Sequence, residues 1–114
     1  MARVSLARQQ LSDAGLLAAY SPAAAGGHAV ENNGRVILHV CNDSEEDITV
    51  TVLSGYERAG LKLADREVSI EAGKQKFIGP FDPDTYNQTD GMAGQVAVDY
   101  SATEGVTVAA LLFP

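Results

Sequence analysis

Three short stretches carry the residue types that chemistry could use. The first is residues 77–91, FIGPFDPDTYNQTDG, with oxygen donors at Asp82, Asp84, Asn87 and Asp90. A calcium loop of the EF-hand kind takes oxygens at alternate positions, a central glycine and a closing glutamate. Here the donors stand two, three and three residues apart, Tyr86 falls where a ligand belongs, and no glutamate follows in place. Short Asp/Asn/Gly runs are turn formers first, because their side chains bond nearby backbone. The stretch therefore reads as a long connection stiffened by Pro80 and Pro83, with the Tyr86 ring laid on the core.

The second stretch places His39 and Cys41 on one face of a strand. Zinc would need at least a third protein ligand, and the chain offers only His28 besides, with no second cysteine. Cys41 reads as a small buried side chain. The third stretch, Ser44–Asp47 (SEED), reads as a solvated hairpin end. No serine sits in a nucleophile-elbow sequence, and no phosphate-binding glycine loop is present. Paired carboxylates alone are not diagnostic among so many acids. The expectation is a protein that is not an enzyme, with no catalytic residues, metal or cofactor.

The elements that must position these residues read as strands. Alternation of β-branched and polar residues marks 35–42, 47–54, 67–70, 76–78 and 95–101, and 106–113 is apolar on both faces, as a central strand would be. Asn32-Asn33-Gly34, Ser54-Gly55, Ala72-Gly73, Asp90-Gly91 and Glu104-Gly105 supply the turns. The expected fold is all-β: a single antiparallel β-sandwich of about seven or eight strands, jelly-roll-like or immunoglobulin-like.

Residues 1–27 follow another pattern. Leu6, Leu11, Leu16 and Leu17 keep no single period, Gly15–Ser21 is compatible with a strand, and Pro22–Gly27 is small and suited to a flexible connection. The expected organisation is an extended N-terminal arm, 1–27, on a sandwich domain, 28–114. Val4, Leu6, Leu11, Leu16, Leu17 and Tyr20 of the arm, with Tyr86 and Asn87, are the candidate interaction residues. An arm of this kind could add a strand to a neighbour's sheet. If it were detachable, removing it would leave the sandwich folded.

Charge narrows the partners. The chain of 114 residues carries 15 acidic and 8 basic side chains, net −7. Arg3, Arg8 and Arg35 slightly outweigh Asp13 and Glu31 up to residue 41, so the acidity lies in the remainder. An acidic body repels phosphate backbones, which argues against nucleic acid. No apolar run reaches the roughly 20 residues of a membrane helix, and the N-terminus lacks the apolar stretch of a secretory signal. With one cysteine, no intrachain disulfide can form.

The succession NNGRVILHVCN, ITVTV, VSIEAGKQKFIGPFDPDTYN and VAVDYSATEGVTVAALLF resembles a group of small structural proteins of tailed bacteriophages. The resemblance spans about residues 28–113. It is carried by the Asn33-Gly34-Arg35 turn, the segment from Ala72-Gly73 through Phe81, the following Tyr86-Asn87 and the closing VTVAA. It implies a head component: a capsid decoration (cement) or minor head protein, made in the host cytoplasm and resident in the virion. Its implied partner is the major capsid protein, and a homo-oligomer such as a trimer would suit lattice symmetry. Two other readings are a head–tail connector or tail component, and a carbohydrate-binding β-sandwich module. The module would need a row of exposed aromatics, and Tyr56, Tyr86 and Tyr100 are scattered.

Overall fold

A computed structural model describes residues 3–55, 57–89 and 92–113. In chain order the strands are β1 (Val4–Ser5), β2 (Arg8–Gln10), β3 (Ser21–Pro22), β4 (His28–Glu31), β5 (Val36–Asn42), β6 (Ile48–Val52), β7 (Glu57–Arg58), β8 (Leu61–Lys62), β9 (Arg66–Ile70), β10 (Gln75–Ile78), β11 (Gln95–Tyr100) and β12 (Val106–Leu112). One helical turn, α1 (Pro83–Tyr86), lies between β10 and β11. The six stretches with strand patterning become β5, β6, β9, β10, β11 and β12, and their ends move by no more than two residues.

Two mixed sheets, ordered β1-β4-β11-β6-β9 and β10-β5-β12-β2, pack together, and β3 also pairs with β12. Four antiparallel pairs define the topology: β3 with β12, β4 with β11, β5 with β10, and β6 with β9. Taken in chain order, those eight strands pair first with last, second with seventh, third with sixth and fourth with fifth. That is one long hairpin rolled into a sandwich, so of the two expected alternatives the strand order is that of the jelly roll.

The period-two pattern explains the core. On β5, Val36, Leu38 and Val40 point inward; on β6, Ile48, Val50 and Val52 do so; β11 adds Val96 and Val98, and β12 adds Val106, Val108 and Ala110. The core is rich in valine, whose branched Cβ suits a pleated surface. Asn42 is fully buried at the end of β5, and its amide donates to the carbonyls of Glu46 and Ile70. That replaces the water it lost and pins the β5–β6 connection.

The N-terminal stretch differs from the expected arm. β1 lies parallel to β4 in one sheet and β2 lies parallel to β12 in the other. Leu6, between them, is part of the core. Residues 15–20 form no strand; only Ser21–Pro22 pairs, on the same edge of β12 that β2 uses further along. The 22–27 connection is a packed turn, with Ala23 buried and Gly27 N–H bonded to the Ala24 carbonyl. The stretch is thus a strap across both sheets. Removing residues 1–27 would take away β1, β2, β3 and Leu6 and open the core, contrary to the expectation for a detachable arm.

The substitution Leu6→Ala is expected to lower the unfolding free energy by about 2–5 kcal/mol. Leu61→Ala, at a position 76% exposed, should change it by less than about 0.5 kcal/mol. Denaturant unfolding followed by circular dichroism measures both, and equal effects would refute the core role of Leu6.

Candidate protein interface

In the Asp/Asn stretch Asp82 serves its own turn and Asn87 joins the stretch to another turn. Asp82 caps α1: one carboxylate oxygen accepts from Asp84 N–H at 3.1 Å and the other from the Thr85 hydroxyl at 3.3 Å. Pro83, whose missing N–H costs nothing there, opens the turn. Asn87 is locked to Asn32 of the Asn-Asn-Gly turn. Asn32 Nδ2 donates to Asn87 Oδ1 at 2.7 Å and to the Phe81 carbonyl at 3.1 Å, and Asn87 Nδ2 donates to the Asn32 carbonyl at 3.2 Å. Tyr86 packs edge-on against Phe81, ring centroids 5.8 Å apart. Gly55 lies so close to the Asn87 carbonyl that a Cβ would collide with it. Among the described residues no group of three or more His, Cys, Asp or Glu is placed to hold a metal. Asp90 and Gly91 lie outside the described residues, as does Tyr56.

His39 and Cys41 sit on the outer face of the β10-β5-β12 sheet. His39 Nδ1 is hydrogen-bonded to the Tyr20 hydroxyl at 2.6 Å, and its ring stacks on Phe77 at 4.1 Å. Cys41 Sγ lies 3.9 Å from His39 Nε2, and burial pushes its thiol pKa up. A raised pKa keeps the thiol protonated and unreactive at neutral pH. His28, buried at the head of β4, is hydrogen-bonded through Nδ1 to the Tyr100 hydroxyl at 2.7 Å. Burial lowers the His28 pKa and raises that of Tyr100. In each case the uncharged form is favoured.

The strap is clamped by side chains that sequence reading passed over. Arg3 reaches Asp99 at 2.6 Å and the Val98 carbonyl at 3.1 Å. Gly27, at φ +85°, leaves room for that clamp; a Cβ there would strike the Arg3 guanidinium and the Asp99 carboxylate. Arg8 pairs with Glu31 at 3.2 Å. Gln9 holds the backbone of Ala19 from both sides, donating to its carbonyl at 2.6 Å and accepting from its N–H at 2.7 Å. Two arginines flanking a leucine in an otherwise acidic chain were the available signal.

The candidate interaction residues therefore divide. Leu6 is in the core; Leu11 is half-buried, its N–H bonded to the Leu112 carbonyl; Val4 is exposed at a sheet edge. Leu16 and Leu17 are exposed, and Tyr20 is exposed on one side while held by His39 on the other. Tyr86 and Asn87 belong to a separate place, the locked loop at one end of the sandwich. Other exposed apolar side chains are Leu61, Leu63, Phe77 and Phe113. Leu61 is on the β7–β8 hairpin, a two-stranded sheet of its own. A shallow depression at one end is lined by Asp43, Glu45, Glu46 and Glu104 and would repel anions. No helix among the described residues is long and apolar enough to cross a membrane. Comparison of the chain with protein-family models, curated proteins and solved structures gave no match.

Two outcomes test this geometry. Asn87→Ala leaves the buried Asn32 amide short of a partner and should cost about 1–3 kcal/mol in denaturant unfolding; no loss would refute the lock. His28 has a folded pKa below its ordinary 6.5, so the unfolded chain binds the proton first as pH falls. Stability should be flat in this respect above pH 6.5 and decline below it, by at most about 1.4 kcal/mol per pH unit. His28→Gln should flatten the decline between about pH 6.5 and 5, before most carboxylates titrate. An unchanged slope would remove His28 as its source.

Proposed function

We propose that this chain is a structural component of a tailed-bacteriophage head, a decoration or minor head protein that grips the capsid shell through protein–protein contacts. The succession of motifs from Asn33-Gly34-Arg35 to the VTVAA terminus supports the reading. The observation that carries it physically is the placement of apolar side chains on an acidic jelly roll. Leu61 and Leu63, 76% and 49% exposed, lie on or beside a hairpin that pairs with no other strand among the described residues. Isolated exposed leucines are ordinary, but a small hairpin that offers them together is suited to insertion into a neighbour's groove.

Shell binding needs no chemistry. It needs a stiff fold, a soluble outer face and a grip repeated many times. Weak contacts at many lattice points sum to a large stabilisation of the shell. The major capsid protein is the proposed partner and the virion the proposed location.

Purified protein added to shells that lack it should co-sediment with them, give density over the capsid lattice and raise their resistance to heat. Leu61→Ser with Leu63→Ser should weaken binding at least about tenfold, the loss of roughly 1.4 kcal/mol or more, with the circular dichroism spectrum unchanged. Density confined to the portal vertex would favour a connector instead. Absence of binding would overturn the shell reading.

A further inference from the structure

We infer that two copies of this chain exchange their N-terminal straps, residues 3–10 of each filling the slot on the other, with residues 11–18 as the crossing linker. The inference concerns the free protein and does not rest on shell binding.

The slot is defined by what now fills it. It offers the edge of β4, which receives Val4 and Leu6 N–H groups at the Gly27 and Ala29 carbonyls, 3.0 and 2.9 Å. It offers the edge of β12 to Arg8–Gln10, an apolar hole for Leu6, and two carboxylates, Asp99 and Glu31, for Arg3 and Arg8. These partners lie at residue 27 or beyond, and Ala19, which Gln9 holds, is likewise presented by a second copy. A second copy presents the same slot, so its occupant would lose no contact on exchange.

The linker can make the crossing. Its two ends touch, since Gln9 holds Ala19 on both backbone atoms. Extended, residues 11–18 would reach roughly 26–29 Å, beyond the 22 Å thickness of the molecule. Its internal structure is slight: the turn from Ser12 to Gly15, closed by one backbone bond of 3.0 Å and the Ser12 hydroxyl accepting from Ala14 N–H at 3.1 Å. Tyr20 stays with its own sandwich, held by His39.

The closed chain also leaves apolar surface uncovered in this very segment. Leu16 and Leu17 are exposed, and Tyr20 beside them is 42% exposed. Two linkers crossing side by side between two sandwiches would cover these side chains, a gain that the closed form does not have. Exchange conserves the strap contacts and gives up the Leu11 N–H bond to the Leu112 carbonyl, so burial of the linker side chains decides the balance.

A cysteine pair reads the exchange directly. Ser5 and Ala29 are register partners on neighbouring strands, within the reach of a disulfide. In a Cys41→Ser background, Ser5→Cys with Ala29→Cys should, after concentration and oxidation, run as a covalent dimer that reverts on reduction. A disulfide-linked monomer only would overturn the proposal. The unsubstituted chain supplies the second measurement: sedimentation should show dimer mass, and Leu16→Ser with Leu17→Ser should raise the dissociation constant at least tenfold. Monomer mass at all concentrations would overturn the proposal whether or not the cysteine variant folds. A dimer insensitive to the linker leucines would overturn it as well.

Discussion

The ladder between β5 and β12 is the constraint on which the remaining structure depends. Seven register pairs run from Val106 opposite Asn42 to Leu112 opposite Val36. That register sends Val36, Leu38 and Val40 inward together with Val106, Val108 and Ala110, and a slip of one residue would turn both sets to the wrong face. β5 then takes β10 on its free side, and β12 takes β3 and β2 in succession. His39, Ala109 and Leu111 point away from the core yet are buried. Tyr20 on His39, and Gln9 beside Leu111 with its hold on Ala19, bring residues 9–20 toward that outer face.

The strap solves an edge problem. A two-sheet sandwich exposes strand edges whose unpaired backbone groups invite association. Here β1 covers the edge of β4, β2 and β3 cover the edge of β12, and Leu6 fills the gap between the sheets. The β1 and β2 pairings are parallel, so hydrogen bonding alone fixes them less firmly than the antiparallel ladders. The arginine clamps at Asp99 and Glu31 supply position more than energy, since both carboxylates are substantially exposed and such pairs contribute little. At the opposite edge, β9 faces solvent with Arg66, Glu67 and Ser69 exposed, the usual protection against unwanted strand addition.

Among the described residues, burial shifts three titratable groups toward their uncharged forms. His28 is held neutral, the Cys41 thiol protonated and the Tyr100 hydroxyl protonated. Each has a hydrogen-bonding partner that satisfies its polar atom. The two His–Tyr pairs instead act as ties: one joins β4 to β11 through His28 and Tyr100, and the other joins the end of the strap linker to β5 through Tyr20 and His39. Such ties suit the structural role proposed for the chain.

Sequence by itself determined the six strand stretches, the alternating faces of β5, β6 and β11, and the turn character of the Asp/Asn loop. These follow from alternation and local turn chemistry, which act over a few residues. It also marked the strap residues as distinct in charge and apolar content, but not what they do. Only the tertiary structure decided the jelly-roll order, because pairings such as β3 with β12 join segments more than eighty residues apart and leave no local signature. The same holds for β4, where His28, Ala29 and Val30 are all buried and no alternation is visible. It holds for Leu6 too: whether a lone leucine near a terminus is a core plug or a surface contact depends on whether two sheet edges meet around it, and that is a property of the assembled fold.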